Sequence, residues 1–228
     1  MRRAAFILVC FSWFAGQAAV RAQSAPAPSP GPAANGAQIV DGVAARIEDD
    51  IITESELTEL AAFQQLVDGR AKSRDELIRE LADQWIVRGE AATAKFPQPT
   101  KDEVDGQYAK LGELFPSAEE FRKSCAAVGL SESGVRRLLT QQIYFSRFLD
   151  YRFRPAAQVD QTQIRAYYRD EFTPQMKARG QSVPPLDDVA DAIREVLVQR
   201  AINDRAKQWL DDTRARLTID VVSQGDRP

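Results

Sequence analysis

Residues 39–60, IVDGVAARIEDDIITESELTEL, decide the fold. Residues 39–47 read as a strand, Asp49-Asp50 as a tight acidic turn and Ile51-Ile52 as a short apolar step. Thr53 with Glu56 then opens a helix. A Ser or Thr followed three residues later by Glu or Gln can satisfy two otherwise orphaned amide protons at a helix start. Upstream lies an uncharged stretch rich in Pro, Ala and Ser, and before that an apolar leader. That order suggests an exported binding protein rather than an enzyme.

Arg2 and Arg3, the apolar run 4–20 and the Val20-Arg21-Ala22 site have the form of a secretory signal peptide, with cleavage expected after Ala22. A retained anchor is the alternative. Residues 23–38 have too little apolar content to form a core and are expected to be a linker. Cleavage would remove three arginines and no acid, taking the net charge from −3 to −6. An acidic chain lacks the electrostatic footprint of a nucleic-acid binder. Histidine is absent from the sequence. That removes His-based triads and nearly every zinc site, and it leaves carboxylates, Lys, Ser and Tyr available for chemistry. The mature chain would keep one cysteine, Cys125, so no internal disulfide is expected.

Helix starts recur down the chain. Ser73/Glu76, Thr100/Glu103 and Ser117/Glu120 repeat the Thr53/Glu56 pattern, and Asp160/Gln163 is a looser version. Each precedes an apolar pattern of helical period, so the spacing predicts a mostly helical body. Phe121, Cys125 and Val128 share one such stripe, which makes Cys125 a packing thiol. A redox or nucleophilic role would lack a His partner.

Two long helices are expected, over residues 132–154 and 187–216. On the first, Val135, Leu138, Leu139, Phe145, Leu149 and Phe153 fall on one face, with Tyr144, Phe148 and Tyr151 opposite. A surface helix needs one apolar stripe. Two stripes mean either a helix sandwiched between layers or an accessible aromatic groove, and Tyr144, Phe148 and Tyr151 are the candidate client-binding residues. On the second helix the apolar face shifts near Gln199, which implies contact with two bodies or a bend. Residues 217–222, LTIDVV, alternate like a strand, with Leu217, Ile219 and Val221 on one side. The two terminal strands are expected to pair and join the chain ends around a helical middle. Asp187-Asp188 read as acids favouring a helix N-terminus, and neither that pair nor Asp211-Asp212 reads as a metal or acid/base site. No catalytic residue, metal site or cofactor is expected.

The order of these features resembles the SurA-type periplasmic chaperones. Their N-terminal domain opens on Val-Asp…Ala-Val-Val-Asn, an acidic turn and Ile-Ile-Thr…Ser-Glu-Leu. Val40, Asp41, Ala45, Asp50, Ile51, Thr53, Ser55, Glu56 and Leu57 match, and Glu48 stands where Asn is commoner. Val159-Asp160 with residues 164–168 resembles the family's Val-Thr…Glu-Ile…Tyr-Tyr helix, and residues 188–222 its closing helix and strand. The resemblance implies a multi-helix, SurA/trigger-factor-like body with a small strand pair. Its parts would be a domain over 39–172, a connector over 173–186, a closing helix and strand over 187–222, and a tail over 223–228. Many relatives carry a parvulin isomerase domain of about a hundred residues where this chain has the short connector. The resemblance therefore implies an ATP-independent chaperone for unfolded outer-membrane or secreted polypeptides in the periplasm. Its clients would be the partners, with homodimerisation by arm exchange allowed by the fold and no stable membrane insertion after cleavage. A scaffold subunit of an envelope assembly is the alternative. Peptidylprolyl isomerase activity would follow from the family label alone and is not expected.

Overall fold

The opening stretch folds as a β-hairpin. The computed structural model describes residues 41–222; the expected signal peptide and its cleavage site, the linker 23–38, Ile39 and Val40, and the tail 223–228 lie outside them. Strands β1 (Val43–Ile47) and β2 (Asp50–Thr53) run antiparallel, with Ile47 opposite Asp50, Arg46 opposite Ile51 and Ala45 opposite Ile52. The apolar step at Ile51-Ile52 is thus a strand, and the turn is Glu48-Asp49, not Asp49-Asp50. A two-residue loop that leaves 47 and 50 paired requires an unusual backbone, and Glu48 takes it with φ 49°. Asn enters this left-handed region more readily than Glu. Glu48 is held there by a double tie: its N–H donates to Thr218 O (3.1 Å) and its carboxylate accepts the Thr218 N–H (2.8 Å).

Strand β3 (Ile219–Val221) pairs antiparallel on the other side of β1, giving the order β2-β1-β3. The two ends of the described chain therefore meet, in a three-stranded sheet rather than a strand pair. Alternation sorts the faces. Ala45, Ile47 and Ile52 are buried, with Leu217 and Ile219 packed against them, while Arg46 and Ile51 face out. Val221 shares the face of Ile219, opposite Ala45, but on the edge strand it is left 51% exposed.

The body is mostly helical: α1 (Glu54–Asp68), α2 (Arg74–Thr93), α3 (Lys101–Gly112), α4 (Ala118–Ala127), α5 (Glu132–Phe153), α6 (Gln161–Tyr167), α7 (Thr173–Ala178) and α8 (Leu186–Arg214). Thr53, Ser73, Thr100 and Asp160 form complete capping boxes. Ser117 makes only the hydroxyl half, and the Glu120 carboxylate pairs with Lys123 (3.2 Å). Residues of the opening stretch brace the start of α1. The Asp41 carboxylate accepts the Ser55 N–H (3.1 Å) and hydroxyl, and a Cβ on Gly42 would meet Glu54 Cγ at 3.0 Å. Arg74 grips Glu54 through two 2.7 Å contacts.

The expected connector is helical through Ala178. Between α6 and α7 the backbone makes one π turn, Tyr168–Phe172, in which Thr173 N–H reaches back to Tyr168 O. The cause lies next door. Pro174 has no N–H, and in a regular helix its ring would clash with the carbonyl four residues back. Widening the preceding turn keeps the helix running past it.

Helix α5 is the hub. Its first half, with Val135, Leu138 and Leu139, enters a cluster with Phe63, Phe121 and Cys125 from α1 and α4. Its second half, with Tyr144 and Phe148, enters another with Ile86, Val87, Ala91 and Leu210 from α2 and α8. Residues of both stripes meet in this second cluster, which Phe145 and Leu149 join as partly buried members. Helix α8 is continuous and packs against α6 and against α2 and α5, which accounts for its rotating apolar face. Among the described residues no helix is long and apolar enough to cross a membrane.

Candidate functional site

The aromatic stripe expected to line a groove is divided by burial. Phe148 is 1% exposed and Tyr144 8%, whereas Tyr151 is 61% exposed. Tyr144 and Phe148 are core residues, which corrects the expectation of a three-residue open stripe. The covering layer is α2, α8 and the segment that follows α2. Phe96 lies against all three rings, at centroid distances of 5.7 Å to Tyr144, 5.5 Å to Phe148 and 5.2 Å to Tyr151.

Phe96 is placed by the way α2 ends. Lys95 turns left-handed (φ 51°), Lys95 N–H donates to Ala92 O and Phe96 N–H to Ala91 O. This is the Schellman pattern, which folds the next residue back onto the last turn. The chain then runs Pro97-Gln98-Pro99 alongside α5 before Thr100 caps α3.

Two adjoining hollows result, sharing Thr140 of α5. The larger, about 490 Å³, lies between α3 and α5 and is lined by Pro99, Lys101, Val104, Asp105 and Arg136 besides Thr140. Its charges are already engaged. Asp105 pairs with both Lys101 and Arg136, and Arg136 also pairs with Glu132 (2.8 Å) and lies 4.2 Å over the Tyr108 ring. Lys101, followed by Arg136, holds the Asp105 carboxyl below the usual range.

The smaller hollow, about 140 Å³, lies between α2, α5 and the segment after α2. Val87, Tyr144 and Phe145 give it an apolar lining, and Gln84, Gln98, Gln141 and Arg88 its polar one. None of these three amides, nor the Arg88 guanidinium, has a hydrogen-bond or ionic partner among the described residues. The two hydroxyls are engaged: Thr140 donates to Arg136 O (2.8 Å) and Tyr144 to Phe96 O (3.4 Å). Such a lining offers a ligand apolar contact, main-chain-like amides and one cation, the usual makeup of a recognition site.

The remaining candidates fall elsewhere. Cys125 is 6% exposed in the cluster of Phe121 and Val135, and burial pushes its thiol pKa up. Asp187 and Asp188 occupy the first turn of α8. Asp211 pairs with Lys207 (2.6 Å) and Arg214. Among the described residues no group of three or more His, Cys, Asp or Glu is placed to hold a metal ion.

Helical periodicity overlooked Arg88, Gln98 and Pro99, because Arg88 lies on the polar side of α2 and the other two on an irregular segment. The available signal was Phe96 with its flanking prolines: an aromatic residue in a connector needs something to cover. Comparison of the chain with protein-family models and with curated proteins finds no match.

Proposed function

We propose that the protein is a SurA-type, ATP-independent chaperone that binds unfolded outer-membrane or secreted polypeptides in the periplasm. The observation that supports this most directly is the pair of hollows along α5, of which the smaller joins an apolar lining to three amides with no partner among the described residues. An unfolded chain presents apolar side chains and unpaired main-chain groups together, and this surface complements both. Occupying those segments suppresses association of clients with one another. Release needs no energy source where the client's final fold is more stable than its bound state. The similarity of the opening and closing segments to SurA-type chaperones adds support, and the interval 173–186 between the Tyr-Tyr helix and the closing helix is too short to hold a parvulin domain.

The test is light scattering of a urea-unfolded β-barrel protein diluted into buffer with the full chain. Thr140 lines both hollows and is partly exposed, so Thr140→Trp should fill the groove with little strain. The wild-type protein should suppress aggregation. The variant should keep its helical circular dichroism and urea midpoint and lose most of the suppression. Full suppression by a folded Thr140→Trp protein would move the site away from α5. Recovery of one folded partner in fixed ratio from native envelopes, with no β-barrel precursors, would instead assign a scaffold.

A further inference from the structure

Building on that polypeptide-binding function, we infer that the smaller hollow is a specificity pocket for an apolar ring adjoining an acidic residue in an extended client segment.

Size is the first argument. At about 140 Å³ the hollow is well below the roughly 300–1,000 Å³ of sites that enclose a whole small molecule. One ring-sized side chain suits it. Its apolar side is formed by Val87, Tyr144 and Phe145, and an apolar ring laid against them removes apolar surface from water.

The rim supplies the second argument. A primary amide carries the same donor and acceptor as a peptide group. Gln84 on α2, Gln141 on α5 and Gln98 on the connecting segment present three such amides around the recess, with no protein partner among the described residues. A side chain inserted between them brings its own main chain within their reach. An extended segment has those groups unpaired, whereas a helix has satisfied them internally.

Charge gives the third argument and settles the neighbouring residue. Arg136, Arg137, Arg147 and Arg152 of α5 each pair with a carboxylate. Arg88, across the recess on α2, is exposed and has none among the described residues. A guanidinium presents a planar fork that takes a carboxylate through two parallel hydrogen bonds. An acidic residue beside the inserted ring would complete it, and a basic residue would meet a like charge.

The experiment uses the full chain and four fluorescein-labelled Gly/Ser peptides that differ only at a central pair: Tyr-Asp, Tyr-Asn, Tyr-Lys and Ala-Asp. Fluorescence anisotropy in about 50 mM salt should show Tyr-Asp binding roughly threefold tighter than Tyr-Asn, the scale of an exposed ion pair. Tyr-Lys should bind more weakly still, and Ala-Asp about tenfold more weakly than Tyr-Asp, because the apolar contact is lost. In Arg88→Gln the Tyr-Asp, Tyr-Asn and Tyr-Lys peptides should converge while the penalty on Ala-Asp persists. Equal binding of Tyr-Asp and Tyr-Lys to the wild-type protein, or a preference that survives Arg88→Gln, overturns the inference. So does an absence of peptide binding. If aggregation suppression persists in any of those cases, the chaperone function stands and only the pocket's specificity falls; if suppression is absent too, both fall.

Discussion

Two residues show how single backbone choices shape the site. Helix α4 ends with Gly129 at φ 77°, and Leu130 N–H folds back to Cys125 O. Helix α2 ends in the same way with Lys95 at φ 51°. Glycine enters this region freely, and a residue with a Cβ is strained there by roughly 1 kcal/mol. Lys95→Gly should therefore raise stability by up to about 1 kcal/mol, and Gly129→Ala should lower it by a similar amount, both read as urea midpoints at unchanged m. Equal effects from the two substitutions would sink the strain argument. Gly129 could be recognised as a helix stop from its sequence, whereas Lys95 could not, and with it went the placement of Phe96. The aromatic stripe poses the same problem. Periodicity assigns Tyr144, Phe148 and Tyr151 to one side of a helix, but it does not reveal what covers that side. Phe148→Ala should cost about 3–5 kcal/mol as a core cavity, and Tyr151→Ala less than about 1 kcal/mol. Comparable losses by calorimetry would mean that Tyr151 is packed rather than exposed.

At the scale of elements, helix starts were the most legible feature because a capping box is local chemistry. Thr53, Ser73, Thr100 and Asp160 need only a partner three residues away. Ser131 caps α5 through Gly134 N–H with no acid at that position, so the pattern could not find it. Strand β2 was missed because four residues between a turn and a cap read equally well as a link. The π turn before Pro174 depends on the helix continuing past a proline, which local propensity opposes. The caps also carry a pH dependence. The Ser73 hydroxyl and amide lower the pKa of Glu76, and the Thr100 amide and hydroxyl lower that of Glu103. A carboxyl with a depressed folded pKa contributes stability above its unfolded value, near 4.5 here, and loses it as pH falls through the folded value. Asp83 works the other way: burial outweighs its pairing with Arg214 and raises its pKa, so its contribution diminishes as pH rises through the folded value. Urea midpoints should hold between about pH 7 and 5 and fall below about 4.5. A Glu76→Gln/Glu103→Gln protein should start lower and decline less steeply. A decline as steep as that of the wild type would place the acid-sensitive groups elsewhere.

At the scale of the whole molecule, α5 and the sheet hold the body together in different ways. Ion pairs run from α5 to α1 (Arg137–Glu59), α3 (Arg147–Glu103) and α2 (Arg152–Glu90), and from the turn after α5 to α8 (Arg154–Glu195). Exposed pairs of this kind contribute little individually and orient more than they stabilise. The sheet instead joins the two ends of the described chain, with Ala45 opposite Val221. Val222 N–H donates to Ala44 O and Glu48 N–H to Thr218 O, so the 45–221 row lies between hydrogen-bonded rows, where side chains approach most closely. An Ala45→Cys/Val221→Cys protein should oxidise to a disulfide across that row. Such a bond closes nearly the whole described chain, and a loop that long is stabilised by up to roughly 5 kcal/mol relative to the reduced form. The comparison with the reduced form cancels the strain of replacing Ala45, which has no exposed surface. The α5 groove is built from α2, α3, α5 and the segment after α2, with no lining residue from the sheet. The locked protein should therefore unfold at a higher urea concentration yet suppress aggregation as well as its reduced form. If locking abolishes suppression and reduction restores it, clients enter by parting the chain ends, and the groove on α5 is not where they bind.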